Sequence, residues 1–201
     1  MIDIIAAFGL FAFVSSITPG PNNLMLLASG MNFGFRATIP HMLGISCGFL
    51  LMLLAVGFGL GEVFARHPVT YSVMKWAGTL YLLVLAWRIA HAGVVTDAAT
   101  GSAHRGPLGL TGAALFQWVN PKAWVMAVSA FSLYVPPASG WAVDTAASVF
   151  FAAVNLPCVS CWALFGSRLR RWLGNPAYAR RFNVAMAILL VASLVPIWRD
   201  H

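Results

Sequence analysis

The sequence predicts an all-α integral membrane protein in which six transmembrane helices form two inverted three-helix repeats, with the first and fourth helices broken. Three observations carry this. Hydrophobic residues make up 60% of the chain and charged residues only 8%, against roughly 25% charged in ordinary soluble domains. At about 20 residues per crossing, 201 residues suffice for six helices with short connections and leave no room for a soluble domain. Finally, two apolar runs about half the chain apart are interrupted by proline: Thr18-Pro19-Gly20-Pro21-Asn22-Asn23 and Gln117-Trp118-Val119-Asn120-Pro121-Lys122. Each break lies about a dozen residues into the first span of a three-span half. Three is odd, so the second copy returns upside down and the breaks are expected to meet near the bilayer midplane. The single transmembrane domain then divides into repeat 1 (about 1–91), a linker (about 92–107) and repeat 2 (about 108–201).

Span one covers Ile4 to Phe33, longer than a straight crossing needs, and meets no charge until Arg36. It follows Met1-Ile2-Asp3 without a basic leader or a small-residue cleavage site, so it is expected to be retained as a span. Span two is Met42 to Gly61. Its Gly44 and Gly48 stand at GxxxG spacing, which suits close packing within the molecule or, alternatively, the face of a homo-oligomer. Span three runs from Tyr71 to Ile89, with Lys75-Trp76 and Trp87-Arg88 as interfacial anchors. The hydrophilic stretch from His91 to Gly106 is the one long connection. Span four continues from Pro107 to Leu133 around the second break, span five from Thr145 to Phe165, and span six from Phe182 to Trp198, after a loop carrying Arg168, Arg170, Arg171, Arg180 and Arg181.

A net charge of +7 raises nucleic acid as a partner, but the basic residues fall at span ends and read as topology signals, so the expected surroundings are a lipid bilayer and no nucleic acid. Arg36, Arg88, Arg105 and the five arginines before span six fall on one side, against Arg66, Lys75 and Arg199 on the other. The positive-inside rule makes the richer side cytoplasmic and leaves both termini outside. Four acids, Asp3, Glu62, Asp144 and Asp200, then lie at the outer face.

The breaks are where chemistry is expected. Proline lacks a backbone N–H and clashes one turn back, so Pro19 and Pro21 around Gly20 leave backbone groups unpaired at membrane depth. Hydrocarbon supplies no hydrogen bonds, so a polar cavity or neighbouring protein must satisfy them. A kink filled by neighbouring helices is the plainer reading, yet Asn22 and Asn23 add amides that packing does not need. Lys122, just after Pro121, is an ionisable residue near mid-membrane and a functional candidate by default. With free N–H groups after Pro21 and Pro121, its ammonium suits a carboxylate, while Asn22, Asn23 and Asn120 suit an amino group. The alternative role for Lys122 is to reach a backbone carbonyl and hold the broken helices together. Asn155 and Pro157 in span five have no counterpart in span two. No acid lies within a span, which favours a neutral substrate over a cationic one. The proton-carrying candidates, His41, Glu62 and Asp144, sit at span ends.

TPGPNN at Thr18–Asn23, the glycine-rich span two, WAGTLYL after Lys75, VNPKAW at Val119–Trp124, and a glycine followed by arginines after span five together resemble the lysine-exporter (LysE/RhtB) family of amino-acid translocators. The likeness spans the whole chain. It implies a six-helix exporter of the bacterial inner membrane that moves amino acids or close derivatives outward on the proton gradient. The wording around Ala86-Trp87, Phe116-Gln117, Asn155 and Cys161-Trp162-Ala163-Leu164 is similar to the cysteine and O-acetylserine exporter subgroup. The residues expected at the substrate are thus Thr18, Pro19, Gly20, Pro21, Asn22, Asn23, Gln117, Asn120, Pro121, Lys122 and Asn155, with no cofactor, no metal and no catalytic residue.

Two other classes compete. Cys158 and Cys161 form a CxxC, which suits a membrane thiol-disulfide electron carrier, but that chemistry calls for one reactive cysteine in each half at the broken spans. Cys47 lies in span two and the others share span five. A metal-cation exporter needs ligands grouped in space, and the five histidines are scattered over loops and ends. No nucleophile, base and orienting acid share one depth, so an enzyme is not expected.

Overall fold

The computed structural model describes residues 2–61, 66, 68–91, 106–136, 139–172 and 176–195. Every element among them is helical: α1 (Ile2–Ile17), α2 (Pro21–Phe33), α3 (Phe35–Ala55) continuing into a π-helical turn (Val56–Leu60), α4 (Pro68–Ala90), α5 (Leu110–Gln117), α6 (Pro121–Tyr134), α7 (Trp141–Trp172) and α8 (Pro176–Ala192).

The helix boundaries follow from residue chemistry. The last helical bond of α1 runs from the Thr18 N–H to the Val14 carbonyl at 3.1 Å, because Pro19 brings no donor to continue it. Proline at the first helical position is pre-organised for a helix start, and Pro21 opens α2 as Pro121 opens α6. The turn into α3 is set by Gly34, whose φ of 85° suits glycine. The second break is tighter. The N–H groups of Trp118, Val119 and Asn120 bond to the carbonyls three residues back, a 3₁₀-like turn.

α2 is the core helix, buried along almost its whole length and lying along α7. Leu26 packs with Met42, Ile45, Ala113, Val159 and Ala163. On another side, Leu24 and Leu27 meet Leu82, Leu85, Phe116 and Leu190. A third cluster joins Phe8 and Ala12 of α1 to Phe49, Met52, Ala127 and Phe151. Backbones approach closely where α2 crosses α7. A Cβ at Gly30 would strike the Ala163 carbonyl and the Ser167 N–H, and one at Gly166 the Leu27 carbonyl. Gly44 and Gly48 pack against α5 in the same manner, on Leu110, Ala113 and Ala114. Gly30→Val is therefore expected to cost about 1–3 kcal/mol through overpacking, seen as a lower melting temperature in detergent. Gly106→Ala, with open space around it, should leave that temperature unchanged.

Large apolar side chains also point outward, among them Leu10, Phe13, Leu51, Phe58, Leu80, Leu115 and Leu133, as suits a surface that meets lipid. Phe35–Leu60 and Trp141–Arg170 are each long and apolar enough to cross a membrane, and Asp3–Ile17 with Pro21–Phe33 are so only when taken together, as a pair bent by 53°. Among the described residues, α5, α6 and α8 are individually shorter than such a crossing.

Four expectations need correction. Arg168, Arg170 and Arg171 lie within α7, and Arg180 and Arg181 within α8, not in a loop. Arginine is a good helix former, and positive charge is favoured at a helix C-terminus. α7 is 32 residues long, about 48 Å at 1.5 Å per residue, so its last turns can project beyond the hydrocarbon. Lys75, read as an interfacial anchor, is buried at 5% exposure, while Trp76 beside it is exposed. His41, read as sitting at a span end, is buried at 1% exposure: α3 begins at Phe35, and six further residues of helix carry His41 into the bundle. α4 and α8 likewise start before the expected Tyr71 and Phe182. Glu62 and most of the 91–106 connection lie outside the described residues, as do Arg199, Asp200 and the end of span six.

Candidate functional site

The end of α1 leaves four carbonyls that no helix continues past, and side chains from three other helices satisfy them. Asn23 of α2 donates its amide N–H groups to Ser16 O at 2.8 Å and Thr18 O at 2.7 Å. Trp162 of α7 donates its indole N–H to Ile17 O at 3.0 Å. Lys122 of α6 donates from Nζ to Thr18 O at 2.8 Å, Thr18 Oγ1 at 3.0 Å and Pro19 O at 3.3 Å. An ammonium has three donors, and all three are engaged on the first break. The positive charge also sits at the negative end of α1.

The second break is tied to the first through an amide pair. Asn22 donates to Gln117 Oε1 at 2.8 Å and Gln117 donates back to Asn22 Oδ1 at 3.2 Å, while Gln117 also donates to Ala113 O at 2.9 Å. Asn120 caps α6, its Oδ1 accepting the Lys122 N–H at 3.2 Å. The backbone N–H after Pro121, expected to be free for a substrate, is therefore in use. The first turn of α2 differs, because Gly20 has no side chain with which to cap it. N–H groups of a helix's first turn have no intrahelical partner, so those of Asn22 and Asn23 remain available.

Gly20, Asn22, Asn23, Asn120, Lys122 and Asn155 line one cavity, joined by Ser15, Ser16, Phe49 and Met126. Thr18 and Pro19 stand beside it as exposed acceptors for Lys122, Gln117 backs Asn22 from outside, and Pro21 and Pro121 set the helix starts without lining it. The cavity has about 20 Å³ of room for water centres, enough for one or two waters and too little for an amino acid. An amino acid would enter only if the contacts around the cavity rearranged. Asn155 donates Nδ2 to Ser16 Oγ at 3.0 Å, and its Oδ1 is buried with no partner. A buried carbonyl oxygen without a partner, on a residue that lines the cavity, is an acceptor waiting for a donor.

Ser16 and Trp162 do as much at the break as the predicted residues and were not singled out. Ser16 lies two positions before Thr18 on the same run, and Trp162 stood in the CWAL wording; nothing in one sequence says that an indole will reach across to Ile17. A second reciprocal amide pair closes the far end of α2, where Asn32 and Asn183 exchange hydrogen bonds at 2.8 and 2.9 Å. Among the described residues, no three of His, Cys, Asp or Glu gather as metal ligands. Cys158 is buried and Cys161 exposed, and both are free thiols.

A family model described as LysE type translocator matches residues 13–193. Over 201 residues, 97% of this chain and 97% of each relative, the sequence is 31% identical to proteins named cysteine/O-acetylserine efflux protein from Escherichia coli strain K12, Salmonella typhimurium strain LT2 and Shigella flexneri. No solved structure matches.

Proposed function

The chain belongs to the LysE type translocator family, a membrane transport protein and not an enzyme, and on that premise we propose that it exports a neutral amino acid of the cysteine and O-acetylserine kind through the bacterial inner membrane, driven by the proton gradient. The observation that carries the reading is the Lys122 ammonium seated on the opposite helix break, beside a cavity lined by Asn22, Asn23 and Asn155. In this reading the carboxylate of the substrate takes the N–H groups of the first turn of α2 and draws Lys122 off the end of α1, and the substrate ammonium donates to Asn155 Oδ1. Lys122 then has both roles weighed from the sequence, in different stages of one cycle: clamp on the end of α1 before substrate enters, carboxylate partner once it is loaded. Among the described residues no acid lines the cavity, which favours a zwitterion over a substrate with a second positive charge.

Six crossings in two inverted halves, with both termini outside, complete the proposal. Its support is the repeated X-Pro break and the paired contacts that bring the two breaks together. Cysteines introduced at Ser102 and Asn175 are expected to resist an impermeant thiol reagent in intact cells, while one at Ser139 labels. Equal labelling at all three would overturn the orientation.

The central test is transport by purified protein in liposomes under an imposed pH gradient. Labelled cysteine and O-acetylserine are expected to move, and lysine is not. Movement of lysine in preference to both would overturn the substrate class, and movement indifferent to the pH gradient would overturn the coupling.

A further inference from the structure

We propose that His41 holds the coupling proton, on a site formed with Ser29 between the substrate cavity and the cytoplasmic end of α3. This rests on the proton-driven reading above and names the group that reading lacks. His41 is 1% exposed, its Nδ1 lies 3.2 Å from Ser29 Oγ of α2, and its Nε2 has no partner. Among the described residues only three buried side-chain polar atoms have none: Asn155 Oδ1, Ser46 Oγ and this Nε2. Each such atom in a native fold asks for an explanation. Asn155 lines the cavity, whereas His41 is not among its lining residues. Phe49, which lines the cavity, is eight residues further along α3, about 12 Å at 1.5 Å per residue. Arg36, on the side that the charge distribution makes cytoplasmic, is about 8 Å the other way.

A zwitterionic amino acid carries no net charge, so the membrane potential does no work on it and uphill export needs an exchanged ion. The other titratable groups of the bundle are committed or badly placed. Lys122 has donated all three hydrogens to the first break. Asp3 and Asp144 stand in the first turns of α1 and α7, the latter accepting from Ser139 at 3.1 Å. Of the elements packed on α3, α2 and α5 bring no titratable side chain. α6 brings Lys122 and Tyr134, and α7 brings Cys158, Cys161 and, toward its end, Arg168 and Arg170, with Arg170 beside Gly34. α7 also carries Asp144, but in its first turn beside Gly57, which is sixteen residues from His41 or about 24 Å at 1.5 Å per residue, so no acid of these elements fixes a permanent charge on the imidazole. An unperturbed histidine is the side chain that gains and loses charge between pH 5 and 8.

The location gives the proton leverage on the substrate. Ser29 belongs to α2, whose first turn carries Asn22 and Asn23. When neutral, His41 offers one nitrogen as acceptor and one as donor; when protonated, both donate. A proton taken from water entering on the outer side makes Nδ1 a donor to Ser29 Oγ, and its release to cytoplasmic water lets Nδ1 accept from Ser29 again. The link between α3 and α2 therefore depends on charge, and α2 is the helix that holds one side of the cavity.

Proteoliposome transport of labelled cysteine tests this in two modes: accumulation driven by a pH gradient, and one-for-one exchange with cysteine on both sides and no gradient. His41→Gln and His41→Asn remove the titration while keeping an amide near Nε2 or Nδ1. Both are expected to keep exchange and to lose gradient-driven accumulation by roughly 5-fold to 150-fold, the range of an ordinary coupling free energy. Exchange serves as the control for folding. Gradient-driven accumulation at wild-type level in either variant overturns the proposal. So does loss of exchange in both, since His41 would then serve movement or folding in general. If wild-type protein exchanges cysteine but ignores the pH gradient, the proton-driven reading itself has failed.

Discussion

Lys122→Ala is expected to lower export at least tenfold while the protein remains inserted. The wild-type ammonium makes three hydrogen bonds to the end of α1, with Thr18 O, Thr18 Oγ1 and Pro19 O. A hydrogen bond to a charged group contributes about 1.5–3 kcal/mol, or roughly tenfold to 150-fold in an equilibrium. The three share one donor atom and one helix end, so they do not add independently. Thr18 O keeps its bond from Asn23 in the variant, which is why the break should survive, and Pro19 O loses the only partner shown for it. Lys122→Arg sharpens the test. It retains the charge but replaces a compact ammonium by a planar fork, and a fork cannot converge on three oxygens of one turn as Nζ does. Export should fall in this variant as well. A gentler probe is Gly20→Ala. The backbone at Gly20 is extended, with φ −177°, so alanine is tolerated there, but its Cβ would lie 2.7 Å from Lys122 Cδ. Displacing that stem should give a defect smaller than that of Lys122→Ala. Export at wild-type rate and affinity in both Lys122→Ala and Lys122→Arg would remove Lys122 from the transport cycle.

What the sequence made legible was mostly what proline and apolarity dictate. Helices that begin at Pro21 and Pro121 follow from the missing N–H and fixed φ of that residue. The all-helical build follows from the composition. Pairings between helices were much less legible. Asn22 was read as a substrate ligand, yet its side chain spends its hydrogen bonds on Gln117. Asn120 spends its oxygen on its own helix. A carboxamide has the same look in a string of letters whether it caps a helix, pairs with another amide or waits for a ligand. Burial of Lys75 and His41 was missed for a related reason. Hydropathy marks where apolar runs stop, whereas α3 and α4 run past those stops because helix formation does not end with apolarity. The Asn32–Asn183 pair, 151 residues apart, gives no local signal at all.

Asn23→Asp is expected to do more damage than Asn23→Ala, and to do it to folding. From the sequence alone Asn23 is a substrate contact, and its loss should spare insertion. In the structure it is 3% exposed and both amide hydrogens are committed, to Ser16 O at 2.8 Å and Thr18 O at 2.7 Å. Alanine leaves those two carbonyls one donor short. Thr18 O retains Lys122, so the main loss is at Ser16 O, where an unsatisfied buried acceptor costs about 1–3 kcal/mol. Aspartate keeps the shape of asparagine but turns the donor into an acceptor, setting an oxygen against two carbonyl oxygens at hydrogen-bond distance. Ionised, it also buries a charge, and Lys122 cannot leave Thr18 to neutralise it without opening the break it holds. Fluorescence-detected size exclusion of tagged protein in mild detergent, with a thermal ramp, separates the two variants. Asn23→Ala should elute as a single species with a lowered melting temperature and weakened export, whereas Asn23→Asp should aggregate or fail to accumulate. If Asn23→Asp were instead as thermostable as the wild type and deficient only in cysteine export, the amide of Asn23 would be a ligand for substrate and not the tie that closes the first break.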